Sequence, residues 1–290
     1  MTKTAVEAGA KRRNQYTDAG RPKALGREST ASSRVLVVGD YGQLEPRLFA
    51  HFSQDPRLLR VYRPGGSGDV YVDMADGIFG ECNVELRNIC KTLVLAMGYG
   101  ASDKRVGSIL TVNGFPTDVE TGAEYVKDLR ETYPVFFQWR EQVIARVKNT
   151  GYVETIGGRH RRLKAQFADR RNWKNIGYGE RQAVNAIIQG SAGDIVRRVM
   201  VRSSREFPEL ALLIQVHDEL VWEAEERHVD AVLLARLQQC GEEGHGFTLR
   251  VPLSFEPHVG LSWYQAKEET VFELPADMVD DDTSLGFEED

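Results

Sequence analysis

Leu212-Leu213-Ile214-Gln215-Val216-His217-Asp218-Glu219-Leu220-Val221-Trp222-Glu223 sets two adjacent acids between two apolar runs. Runs this rich in branched and aromatic residues read as strands, so the segment reads as a hairpin turning at His217-Asp218. The Gly or Asn usual in a two-residue hairpin turn is missing. Acids in such a place have two readings. They form an exposed polar turn, or they are carboxylates held for a cation, because charge beside buried strands is costly unless paired or metal-bound. A second acid poses the same question. Val35-Leu36-Val37-Val38 is a short apolar run that ends at Gly39-Asp40 and reads as a buried strand. Asp40 then either caps a helix running through Leu48 to His51, or offers oxygens to a hard cation such as Mg²⁺.

Outward from these two segments the chain alternates irregularly. Pro64-Gly65-Gly66-Ser67-Gly68 is a loop. Residues 83–97 carry charged and apolar side chains at helical spacing, with Gly98-Tyr99-Gly100 ending the helix. Residues 121–149 read as two helical pieces broken at Pro134. Gly151 to Ile156 reads as a strand entering a Gly157-Gly158 turn, and Glu180 to Met200 as a long helix despite Gly190 and Gly193. Strands and helices in no regular alternation point to an α+β fold.

Composition narrows the class. A chain of 290 residues with 41% hydrophobic and 28% charged side chains suits a globular protein. Its apolar runs are far too short to span a bilayer, and no signal peptide opens it. Cys82, Cys90 and Cys240 form no CxxC pair and leave one odd, which suggests a reducing interior. The formal charge of −6 is unevenly spread: residues 270–290 hold eight acids and no Lys or Arg, leaving 37 basic against 35 acidic side chains elsewhere. Phosphate binding depends on local basic patches, so this balance leaves nucleic acid open as a partner. Residues 1–34, with Lys11-Arg12-Arg13 and Arg21-Pro22-Lys23, read as a basic, flexible arm.

Two helices carry further chemistry. Arg87, Lys91 and Leu95 stand at i, i+4 and i+8 on one face. Such a pair of cations is either an ordinary solvated face or a clamp for a polyphosphate. Arg181, Asn185 and Gln189 form a polar stripe at the same spacing on an otherwise apolar helix, which on its own reads as the wet side of an amphipathic helix.

Taken together these segments resemble the family A DNA polymerases, the bacterial polymerase I and phage group. Asp40-Tyr41-Gly42-Gln43-Leu44-Glu45-Pro46-Arg47 is similar to that family's DYSQIELR-like motif A, and Gln215-Val216-His217-Asp218-Glu219 to its VHDE-like motif C. Arg87, Lys91, Tyr99 and Gly100 match motif B, and Glu180 to Asp194 matches an ERxAxNxxxQGxAAD helix. Gly151 to Arg159 resembles GYVETLxGR, with His160-Arg161-Arg162 a basic run beyond it, and Val251-Pro252-Leu253 with Gly260-Leu261-Ser262-Trp263 resembles the closing segment. The likeness covers roughly residues 35–268.

The resemblance implies a right-hand fold, with an antiparallel palm sheet in 35–60 and 176–269, helical fingers in 61–175, and an acidic tail at 270–290. It implies template-directed addition of dNMP from dNTPs to a primer 3′-hydroxyl on primer–template DNA. Asp40 and Asp218 would bridge two Mg²⁺ ions, with Mn²⁺ as a substitute, and Glu219 would support them. Lys91 would act on the triphosphate together with Arg87, and Gln43, Glu45, Leu95 and Tyr99 would line the nucleotide site. Arg181, Asn185, Gln189, His217 and Arg159 would face the DNA. Amides and Arg in the minor groove meet acceptors common to all base pairs, so they test pair geometry without reading sequence. Glu45 beside Tyr99 would fill the space of a 2′-hydroxyl and reject ribonucleotides.

Three positions depart from the family pattern. Pro46 follows the gate acid and biases Glu45 towards an extended conformation. Leu95 replaces an aromatic residue, and Tyr71 stands where a DIH-like segment has His. The thumb that precedes motif A in the family is also not visible, and the expectation is either a separate polypeptide supplying it, with or without an exonuclease, or a truncated chain, in the cytoplasm of a bacterial or phage-infected cell. Competing readings are a non-catalytic primer–template binding half, a single-subunit RNA polymerase and a metal-dependent nuclease. Glu45 and an HDE rather than HDS hairpin weigh against the RNA polymerase, and the cationic helix weighs against the nuclease.

Overall fold

The computed structural model describes residues 33–98, 100, 103–169 and 171–267. The expectations for the basic arm up to residue 32, for Tyr99, for the side chain of Leu95 and for the acidic tail lie outside the described residues.

Four antiparallel strands form the central sheet in the order β4-β5-β1-β6, from β1 (Arg34–Tyr41), β4 (Ala211–Val216), β5 (Glu219–Glu225) and β6 (Phe255–Gly260). β1 lies between β5, where Val37 pairs with Trp222, and β6, where Val37 pairs with Val259. Side chains alternate across a strand, so the two faces can be read off directly. Val35, Val37 and Tyr41 of β1 join Leu220, Trp222 and Ala224 of β5 in the main core. Leu36, Val38 and Val221 turn the other way, where they meet only Ala266 and Trp263 of the short helix α10 (Trp263–Lys267). Asp40 and Glu219 continue that second face by the same alternation. The thick face buries hydrophobics; the thin face carries acids.

The helices account for the rest of the core. After β1 come α1 (Leu44–Ser53), α2 (Pro56–Tyr62), α3 (Val70–Phe79), α4 (Val84–Gly98), α5 (Asp103–Val112), α6 (Val119–Thr132) and α7 (Pro134–Thr150). A two-stranded ribbon follows, β2 (Tyr152–Glu154) with β3 (His160–Arg162), and then α8 (Trp173–Glu206) and α9 (Ala231–Glu243). Asp55, Asp69, Asp118 and Asp230 cap α2, α3, α6 and α9, each accepting hydrogen bonds from first-turn N–H groups. Tyr133 ends α6 and Pro134 opens α7, the expected break. α8 is longer than expected, and its buried face (Ala183, Val184, Ile187, Ile188, Ile195, Val199) binds it to the core. The mixed architecture and antiparallel sheet agree with the α+β expectation.

Two local readings are corrected. Asp40 does not cap a helix: it lies within β1, and α1 begins after Gln43, whose φ of 56° makes the turn. Glu45 is not extended before Pro46. Both sit in the first turn of α1, where a missing N–H breaks no helical bond, and Arg47 N–H already bonds Gln43 O at 3.1 Å.

Candidate active site

The hairpin sets the geometry. Val216 pairs with Glu219, so His217-Asp218 is a two-residue turn. His217 takes the positive φ (54°) that Gly normally supplies there, a conformation costly for a side-chain-bearing residue. Gln215 Nε2 donates to His217 O at 2.5 Å and braces the turn. On the other strand the last β1–β5 pair is Gly39 with Leu220, so one further step brings Asp40 alongside Glu219 and the turn. The two sequence-predicted aspartates therefore meet at one end of the sheet. They lie close enough for Asp218 to act on the Asp40 charge.

Their electrostatics agree. Asp40 is reachable by solvent, yet protein surrounds it enough to raise its pKa, and Asp218 and Glu219 raise it further. Asp218 is raised too, first by burial, with Glu45 and Glu219 adding to the effect and His217 opposing it. Acids crowded so that each raises its neighbour's pKa make a site that favours a cation between them. Among the described residues no three His, Cys, Asp or Glu side chains form a ready metal cage. Two neighbouring carboxylates, one exposed and one half-buried, nevertheless fit Mg²⁺, which binds through one or two carboxylates and keeps water and substrate phosphate as its other ligands.

Glu219 is held differently. It is 3% exposed, its Oε1 accepts from Trp263 Nε1 at 2.6 Å, and Lys267 Nζ lies 2.5 Å from its Oε2. Lys267 was not foreseen, and Trp263 was read only as part of the closing segment. No local spacing signals a side chain that reaches a strand 48 residues upstream.

The helical region closes on the same end. Arg87 on α4 bonds Asp69 Oδ2 through Nε at 2.8 Å and lies 5.3 Å from the Tyr71 ring centroid. Burial first, then Asp69, pushes the Tyr71 phenol up to about 12, and Glu45 and Asp218 are among the acids acting on it. Tyr71 therefore ties the Arg87 helix electrostatically to the hairpin acids. Lys91, one turn on from Arg87, is exposed. A side chain at Gly98 would strike Phe49 of α1, and one at Gly100 would strike Arg140 and approach Arg181 of α8. Gly98 thus packs directly on the Phe49 ring, and Gly100 just beyond α4 takes a φ of 65°, which favours glycine. Gln43 Oε1 accepts from Tyr62 Oη at 2.9 Å and from Val70 N–H at 3.1 Å, joining the turn after β1 to α3.

Along α8 the stripe Arg181, Asn185, Gln189 stays off the buried face, as expected. Asn185 Oδ1 is buried with no hydrogen-bond partner among the described residues. Buried polar atoms are rarely left so, and such an atom at a site marks a place for a ligand group. Arg159 is half exposed: its Nε pairs with Asp194 Oδ1 and its guanidinium also bonds Gly190 O, so it ties the Gly157-Gly158 turn to α8. The basic strand His160-Arg161-Arg162 beyond it is exposed throughout.

An antiparallel sheet ending in an acidic hairpin, with a cationic helix and a long helix carrying a polar stripe, is the mixed fold of a polymerase domain. The chain belongs to DNA polymerase family A, whose model matches residues 23–265. It is 34% identical over 240 residues to the thermostable DNA polymerase I of Thermus thermophilus and 32% identical over 244 residues to the DNA polymerase I of Bacillus caldotenax. Each match covers 81% of this chain but only 27% and 26% of those relatives, so the chain spans about a quarter of their length. Among solved structures it is similar to the POL domain of Pol1 from M. smegmatis in complex with DNA primer-template and dNTP, with a TM-score of 0.70 and 27% identity over 81% of this chain and 41% of that one. No described helix is long and apolar enough to cross a membrane.

Proposed function

We propose that this chain carries the nucleotidyl-transfer site of a template-directed DNA polymerase, adding dNMP to a primer 3′-hydroxyl. The observation that carries the proposal is the convergence of Asp40 and Asp218 at one end of the sheet, both with raised pKa values and crowded by further acid. Two Mg²⁺ ions held there would activate the 3′-oxygen and offset charge on the leaving pyrophosphate. Arg87 and Lys91 reach over from α4 to take the triphosphate, and Arg87 exchanges its partner Asp69 for phosphate oxygens. Lys91 stands near the bond that breaks, where a fixed positive charge stabilises the developing negative one.

Glu45 forms the sugar gate with Tyr99, favouring dNTPs. Gln43 shapes the floor of the nucleotide site from the turn after β1, and Leu95 contributes to the same site. Arg181, Asn185 and Gln189 face the minor groove of the primer–template, where guanidinium and amide N–H groups donate to the acceptors all base pairs share. His217 sits at the primer end, and Arg159 with His160-Arg161-Arg162 meets the template backbone. Palm function falls to residues 35–60 and 176–269 and fingers function to 61–175. The thumb that grips duplex DNA comes from polypeptide outside the described residues.

Primer extension with Mg²⁺, alongside Asp218→Asn, tests the proposal. Extension by the unaltered chain, supplemented with a thumb-bearing fragment, and its loss in the variant are expected. Equal extension by both would refute the assignment.

A further inference from the structure

The thin face of the sheet carries a device that the polymerase reading does not use. α10 anchors itself by packing Ala266 and Trp263 against Leu36, Val38 and Val221, the only apolar cluster on that face among the described residues. From this anchorage it brings a hydrogen-bond donor and a cation to one carboxylate. Trp263 Nε1 donates to Glu219 Oε1 at 2.6 Å, and Lys267 Nζ lies 2.5 Å from Glu219 Oε2. Glu219 is 3% exposed, while the Lys267 side chain stays about half exposed. A cavity of about 210 Å³ lined by Asp40, Glu219, Glu256, His258 and Lys267 opens beside them.

Glu219 directly follows Asp218 in the turn and lies alongside Asp40 in the sheet. Left unpaired, a third carboxylate here would compete for any cation shared by the other two. With one oxygen held by an indole hydrogen bond and the other facing an ammonium, its orientation is set and its charge balanced. We propose that Trp263 and Lys267 are positioning residues of the nucleotidyl-transfer site, which hold Glu219 as a paired, non-ligating acid and so leave Asp40 and Asp218 as the protein's metal ligands. The proposal rests on the polymerase reading above.

Loss of Lys267 has two opposed consequences. The site gains one unit of net negative charge, which draws divalent cations more tightly, and Glu219 is freed to join them in an unproductive geometry. A residue that merely stabilised the fold would not separate affinity from turnover in this way. The test uses the full chain and the variants Lys267→Met, Lys267→Arg and Trp263→Phe, the last keeping ring bulk while removing the N–H. Mn²⁺ binding is read by electron paramagnetic resonance without DNA or nucleotide, and turnover by primer extension with the thumb-bearing fragment present.

Lys267→Met should bind Mn²⁺ roughly three- to tenfold more tightly, as expected for one charge removed at close range in a partly solvated site, while its kcat falls about tenfold or more. Lys267→Arg should return both towards the unaltered values, and Trp263→Phe should lower kcat with little change in Mn²⁺ affinity. Unchanged Mn²⁺ affinity in Lys267→Met, or loss of affinity in step with loss of folded protein, would overturn the inference. If the unaltered chain binds Mn²⁺ and extends primers while Lys267→Met is silent, only this inference fails. If it does neither, the polymerase reading and the inference fall together.

Discussion

Asp40 and Asp218 are raised first by burial and then by the acids around them. Replacing either with Ala removes a cation ligand but also relieves repulsion among like charges. Asp218→Ala should therefore lower kcat for primer extension by about 10³-fold or more, as losing several kcal/mol of transition-state stabilisation requires. Its thermal midpoint, followed by circular dichroism, should stay level or rise slightly. Asp194 is the opposite kind of acid. Burial opposes its ionisation, but bonds from Thr155 Oγ1, the Arg159 guanidinium and Gly157 N–H outweigh that and hold its pKa below the usual range. A group depressed in the folded state adds stability above its unfolded pKa, near 3.9, and loses it as pH falls through the folded value. Urea unfolding between pH 3 and 6 should show Asp194→Asn destabilised by about 2 kcal/mol at pH 6, the scale of bonds to a charged group, with the gap narrowing towards pH 3.

The elements explain why these residues are held so closely. A side chain added at Gly39 would lie 2.2 Å from Phe255 Cζ, and one at Gly241 would lie 2.2 Å from its Cγ. Phe255 is fully buried, so β1, β6 and α9 close around one ring with no room for a methyl group. Gly39→Ala should cost about 1–3 kcal/mol in urea unfolding, the usual penalty for overpacking, and should lower activity because Asp40 is the next residue along the strand. Much at this scale was legible. β1, the hairpin, the break at Pro134 and the long helix α8 all follow from apolar period and punctuation. β6 was not read as a strand because it contains Pro257, which cannot donate to a ladder and is tolerated only where a strand has a free edge. The conformation of Glu45 was misread because the rule for residues preceding proline is weaker than the tolerance of a helix's first turn for proline.

At the scale of the molecule, convergence was the part that spacing could not supply. Nothing in the local pattern of Asp40 or Asp218 says that they come together; motif order and family likeness said so, and sheet register accounts for it. The Trp263–Glu219–Lys267 arrangement stayed hidden because it depends on which face of the sheet α10 covers. If the gate lies where proposed, Glu45→Ala should accept ATP against a template T at least tenfold better relative to dATP, measured as the ratio of kcat/KM in single-nucleotide incorporation. The most direct measurement is anomalous diffraction from crystals of the chain with primer–template, a non-hydrolysable dNTP analogue and Mn²⁺. Two peaks about 3.5–4 Å apart, bridged by the carboxylates of Asp40 and Asp218, are expected. Peaks lying elsewhere, with these two carboxylates bound to no metal, would contradict the account.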